Sequence, residues 1–98
     1  MRYFVLCTFD LKNADSLDYQ LAYADLSSLG LNRTIVSDSG GNVTAPTTTV
    51  MGKWEGQSAA DVRGTVCDQV KAKFIARGFK SEIFVLVGGD WAWGGRTT

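Results

Sequence analysis

The sequence contains no histidine, only one proline and only two cysteines. The missing histidine removes the commonest general base and the commonest metal ligand, so any catalysis must use carboxylates, hydroxyls, lysine or arginine. Cys7 and Cys67 match no metal-binding or redox spacing, and both lie in apolar surroundings. We therefore expect two buried free thiols and no disulfide.

Net charge and long apolar segments are also lacking. Ten basic residues balance ten acidic ones, so no overall field attracts nucleic acid or an acidic membrane. No run reaches the roughly 18 apolar residues of a membrane-spanning helix. The apolar start of the chain lacks a small-residue cleavage site, which indicates a first strand and not a signal peptide. These features predict a cytoplasmic protein with no membrane partner.

Two helices are predicted from capping residues and from apolar residues spaced three or four apart. The first begins after Asn13 or Asp15, either of which can cap it, and ends at Gly30. The second begins with a capping-box pattern at Ser58 and ends at Gly78. Their apolar faces comprise Tyr19, Ala22, Tyr23, Leu26 and Leu29 in the first helix, and Val62, Val66, Val70 and Phe74 in the second.

Four strands are predicted from β-branched and aromatic residues. They cover residues 2–9, 32–37, 47–54 and 82–87, with a reversing loop at 38–42 between the second and third. This order predicts an α+β, ferredoxin-like βαββαβ domain over residues 1–88, with a four-stranded antiparallel sheet and both helices on one face. The first and last strands are apolar on both faces, so we expect a partner chain to cover the face opposite the helices.

The fold order predicts that one edge of the sheet gathers several polar residues. Asp10, Asp38, residues 47–49, Lys80 and Glu82 are all expected there. Asp10 is the strongest candidate for a catalytic or metal-binding residue, because a carboxylate at a strand end can hold Mg²⁺ or Mn²⁺. The alternative is that Asp10 starts the turn and caps the following helix.

The glycine-rich tail, residues 89–98, carries Trp91 and Trp93. Their alternate spacing places them on one side of an extended segment, where tryptophan can anchor an interface. We predict a contact between two copies of the chain. Packing within the chain and stacking on nucleic-acid bases are the alternatives.

A short set of motifs resembles the small ferredoxin-like endoribonuclease group, which includes the antitoxin endoribonuclease GhoS and the smaller CRISPR spacer-acquisition protein. The motifs are a strand ending at Phe9-Asp10, a helix closing with Leu29-Gly30-Leu31, and Ile35-Val36 followed by Asp38 and Gly40. They cover the first half of the chain, and the element order agrees over the rest.

The resemblance implies homodimers that stack their sheets, RNA as a partner, and a Mg²⁺-associated role for Asp10. The chain lacks the arginine-rich first helix and the basic surface of that group. Three functions follow as hypotheses: a homodimeric metal-dependent endoribonuclease or a degenerate relative of one, a non-catalytic protein-interaction or antitoxin-like regulatory module, and a small-molecule-binding domain. The last is included because ferredoxin-like domains host many unrelated functions.

Overall fold

A computed structural model describes residues 1–37 and 40–98 of the chain. The elements in chain order are β1 Arg2–Leu11, α1 Ser16–Ser28, β2 Thr34–Val36, β3 Asn42–Thr44, β4 Thr49–Glu55, α2 Ala59–Ala76 and β5 Ser81–Gly88. Strands β4, β1 and β5 form a three-stranded antiparallel sheet in that order, while β2 and β3 form a two-stranded one. The predicted α+β class is therefore confirmed.

Both helices pack on the same face of the three-stranded sheet. The odd-numbered residues of β1 from Tyr3 to Leu11 are all buried there. The ring of Phe9 contacts Tyr23 of α1 at 5.8 Å and Phe74 of α2 at 5.3 Å between centroids. Because one side chain touches both helices, the core is a single layer between the helices and the sheet.

The two helices begin and end where the capping residues predict. The Asp15 carboxylate accepts from the Asp18 amide at 2.9 Å, and the Asp18 carboxylate accepts from the Asp15 amide at 3.2 Å. Ser58 caps α2. Gly30 and Gly78 follow the helices with φ values of +80° and +76°, a conformation that glycine adopts without steric cost.

The second strand differs from the prediction. It pairs with β3. The sequence predicts no strand at β3, because residues 38–42 are assigned to a loop and the predicted third strand begins at residue 47. It meets β4 only where Asn32 and Met51 exchange two backbone hydrogen bonds of 2.8 Å. Thr48 explains the later start of β4, because its φ is +66° and its amide donates to the Tyr23 hydroxyl at 2.9 Å.

The end of α2 is tied to α1 by a bidentate ion pair. Arg77 donates from Nε and Nη2 to the two carboxylate oxygens of Asp25, at 2.9 and 3.0 Å. The Asp25 side chain is only 15 % exposed. Hydrogen bonding from Arg77 lowers the pKa of the Asp25 carboxyl below its ordinary value.

Replacing Arg77 by Gln should therefore lower stability in a pH-dependent way. A depressed pKa stabilises the folded state fully above the unfolded pKa of about 3.9, and this contribution is lost as the pH falls through the folded value. The free energies of unfolding of the wild type and Arg77→Gln should differ at pH 7, and the difference should shrink as the pH falls below about 4. Arg63→Gln, an exposed arginine of the same helix, is the control. A difference that stays constant down to pH 2 would contradict a role for the ion pair.

Candidate functional site

The predicted polar edge is present at the end of β1. Asp10 lies directly opposite Glu82 of β5. The Phe9 amide donates to the Thr48 carbonyl at 3.0 Å, and the Lys12 amide donates to the Lys80 carbonyl at 2.9 Å. The fold order therefore correctly predicted that these segments meet. Asp38, which was also predicted here, lies outside the described residues.

Asp10 is exposed and does not cap α1. Its Oδ1 accepts a hydrogen bond of 3.2 Å from the Tyr19 hydroxyl, and the cap of α1 is Asp15. The capping part of the alternative interpretation of Asp10 is thus wrong. The neighbouring Glu82 forms an ion pair of 3.0 Å with Lys12, and this hydrogen bond raises the pKa of the Lys12 ammonium.

The carboxylates at this edge do not form a cluster of three or more metal-binding side chains in one chain. Within residues 1–37 and 40–98, no group of three or more His, Cys, Asp or Glu side chains is placed to hold a metal ion. Asp10 offers one carboxylate, and Lys12 already neutralises the adjacent Glu82. Mg²⁺ is usually held by one or two carboxylates and several waters, and a single chain offers it the one Asp10 carboxylate at this edge.

The two thiols are free, as predicted, but only Cys7 is buried. Burial raises the pKa of the Cys7 thiol to about 12, and the nearby Cys67 adds to the shift. A thiol that stays protonated is a weak nucleophile and a weak metal ligand. Cys7 is therefore a core residue of β1.

The sheet face opposite the helices carries an exposed apolar surface. Leu6 lies opposite Leu86, and Thr8 lies opposite Phe84, in the pairing of β1 with β5. Phe84 is 63 % exposed and Leu86 is 60 % exposed. We call these four residues the open-face patch. The predicted apolar outer face of the first and last strands is thus present, and this part of it is uncovered.

The tail crosses the other end of the same face. The Trp91 ring stacks on Phe4 with 6.0 Å between centroids and 27° between planes. Lys53 Nζ lies 5.7 Å from the centroid of the Trp91 ring. Further along, Gly95 lies so close to Val43 of β3 that an added Cβ would come within 2.9 Å of its Cγ1 atom. Trp91 therefore contacts its own chain, and a role for Trp91 and Trp93 between chains stays a prediction.

A groove of about 830 Å³ separates the tail from the sheet and the β2–β3 hairpin. Its lining includes three cationic side chains, which belong to Arg2, Lys53 and Arg96, and the aromatic rings of Trp91 and Trp93. We call it the tail groove. Sequence patterns do not reveal this groove, because it exists only after the tail folds back over β1. The alternation of Arg2, Phe4 and Leu6 was the one available signal that a cation shares a face with apolar side chains.

Neither the protein-family models nor the curated proteins contain a match to this chain. Among the described residues, no helix has both the length and the apolar character needed to cross a membrane.

Proposed function

We propose that this chain is a non-catalytic protein-interaction module that forms a homodimer through its open-face patch. The observation that carries the proposal is the exposure of Phe84 and Leu86, 63 % and 60 %, side by side on the outer face of the sheet. Large apolar side chains that adjoin on a sheet face are typical of an interaction surface. A chain of 98 residues also buries a smaller share of its surface than a larger domain does, so a second copy adds useful burial.

The proposal also includes a four-stranded ferredoxin-like sheet, in which the strands follow the order β5–β1–β4–β2. Its support is the pair of backbone hydrogen bonds between Asn32 and Met51, which extends the three-stranded sheet beyond β4. In this arrangement β1 and β4 are the central strands. The patch then lies over β1 and β5, on the half of the sheet that the tail leaves free.

The hydrophobic gain from Phe84 and Leu86 is of the same size as the lowest cost of bringing two chains together. Fully burying a leucine or phenylalanine contributes about 1.5–3 kcal/mol, so burying the exposed parts of Phe84 and Leu86 contributes about 1–2 kcal/mol each. Two copies double that gain. Association costs at least about 4 kcal/mol, so the other two residues of the patch, Leu6 and Thr8, must contribute to the contact as well.

A charge placed in the patch should disrupt the dimer. Leu86→Glu would bury two carboxylates in each dimer, and we expect association to weaken by about 100-fold or more. Leu17→Glu is the matched control, because Leu17 is 59 % exposed in the first turn of α1, where an acidic side chain is favourable. Size-exclusion chromatography with light scattering checks the masses. If both variants behave as the wild type does, the patch is not the interface.

A second candidate function is a metal-dependent endoribonuclease, in line with the resemblance noted above. It is favoured by the position of Asp10, which lies on the same sheet face as the patch, two register positions beyond Thr8 and Phe84. Since one chain offers a single free carboxylate here, the candidate site combines the Asp10 carboxylates of two copies.

Cleavage of a labelled single-stranded RNA in the presence of Mg²⁺ or Mn²⁺ tests this candidate. A nuclease centred on Asp10 should lose at least about 100-fold in rate on Asp10→Asn and should be unaffected by Asp68→Asn, an exposed carboxylate of α2. Absence of metal-dependent cleavage by the wild type, or equal rates in the three proteins, would leave the interaction module as the function.

A further inference from the structure

The tail groove combines features that recognise a flat ring bearing an anionic group. Its volume of about 830 Å³ lies within the range of about 300–1,000 Å³ of small-molecule sites. Among the described residues that line it, three carry positive charge and none is an aspartate or glutamate. This local imbalance stands out in a chain with a net charge of zero.

The aromatic and cationic groups of the groove lie next to one another. Lys53 and Phe4 are direct partners in the pairing of β1 with β4. Trp91 stacks on Phe4 and lies beside the Lys53 ammonium. Trp93, two residues further along the tail, also lines the groove and is only half-buried. An indole face next to an ammonium or guanidinium can hold a base by stacking and a phosphate by charge-assisted hydrogen bonds.

We propose that the tail groove binds a nucleoside monophosphate, with the base against Trp93 and the phosphate held by Lys53 and the neighbouring arginines. The surroundings favour a single nucleotide over a nucleic-acid strand. Glu55 lies opposite Arg2 beside the groove, and Asp90 precedes Trp91. Asp10 and Glu82 occupy the far end of the same face. A strand that extends beyond the groove would meet these carboxylates, whereas one nucleotide would not.

The proposed nucleotide site and the proposed dimer interface use different residues. The patch consists of side chains on β1 and β5, and the groove is built from β1, β4, the hairpin and the tail. Removing the charge of Lys53 leaves Leu86 untouched, so the two surfaces can be tested one at a time.

Titration of the full chain with adenosine 5′-monophosphate, adenosine and ribose 5-phosphate tests the inference. The indole resonances of the three tryptophans report on binding, and Trp54 serves as an internal reference because it lies opposite buried Tyr3, on the helix side of the sheet. We expect the monophosphate to shift the Trp91 and Trp93 signals and to bind at least about tenfold more tightly than either fragment. The Trp54 signal should stay in place.

Two variants test which residue binds the phosphate of the ligand and which binds the base. Lys53→Met should weaken monophosphate binding by about tenfold and leave adenosine binding unchanged, whereas Lys71→Met on the exposed face of α2 should change neither. Trp93→Leu should weaken adenosine and the monophosphate alike and spare ribose 5-phosphate. Circular dichroism of each variant verifies that it is folded.

Three results would overturn the proposal. Equal affinity for ribose 5-phosphate and the monophosphate would show a site for anions alone. No shift of either tail indole at millimolar nucleotide would show that the groove does not bind this class of ligand. A six-nucleotide RNA that binds more than about tenfold more tightly than the monophosphate would assign the groove to single-stranded nucleic acid.

Discussion

Gly52→Ala is expected to lower the free energy of unfolding by about 3 kcal/mol. Gly52 lies on β4 beneath the turn that follows α1, and a Cβ added there would collide with the carbonyl oxygen of Gly30 and press on Leu31. The backbone of that turn cannot move away without pulling on the end of α1, which Leu31 anchors with a fully buried side chain. For a domain of this size the loss corresponds to a fall of roughly 15 °C in the melting temperature.

Gly64→Ala is the matched control for this prediction. Gly64 lies inside α2, and outside the backbone of its own helix a Cβ there would meet no atom within 4 Å. The substitution should raise stability by about 0.5–1 kcal/mol, because alanine loses less conformational entropy in a helix. Urea denaturation at one fixed protein concentration compares the two variants, since a dimer makes stability depend on concentration. Equal and small effects at both positions would show that β4 and the turn are not in close contact.

Phe74→Ala is expected to lower the free energy of unfolding by about 3–5 kcal/mol. Phe74 is 1 % exposed, and its ring contacts Phe9 of β1 and Phe79 beyond α2 at 5.3 and 5.8 Å. Truncation therefore leaves a cavity where the helices meet the sheet.

The next residue along α2 supplies the control. Ile75 is 62 % exposed, so Ile75→Ala should change stability by no more than about 0.5 kcal/mol. Thermal unfolding followed by circular dichroism distinguishes the two. Similar melting temperatures for the two variants would contradict the assignment of Phe74 to the core.

The helices and the long strands could be predicted because their signals are local. Asp15 and Ser58 cap helices whose apolar residues repeat along one face, and the side chains of Val66 and Val70 are fully buried as that spacing requires. The meeting of Asp10 with Glu82 followed from the order of the strands. Neither inference needed knowledge of distant contacts.

The short β3 strand and the path of the tail depend on distant contacts and could not be predicted. Residues 42–44 contain one large apolar side chain, Val43, and become a strand only because β2 pairs with them. Nothing in the sequence near Trp91 indicates that it stacks on Phe4. The tail groove, which needs both features, was for the same reason outside the reach of sequence patterns.

The central claim, that the open-face patch joins two copies of the chain, is tested most directly by sedimentation equilibrium of the wild-type protein. We predict a mass of twice the 10.6 kDa of one chain at micromolar concentration, and a return toward the monomer mass for Leu86→Glu. A wild-type protein that sediments as a monomer up to high micromolar concentration would contradict it.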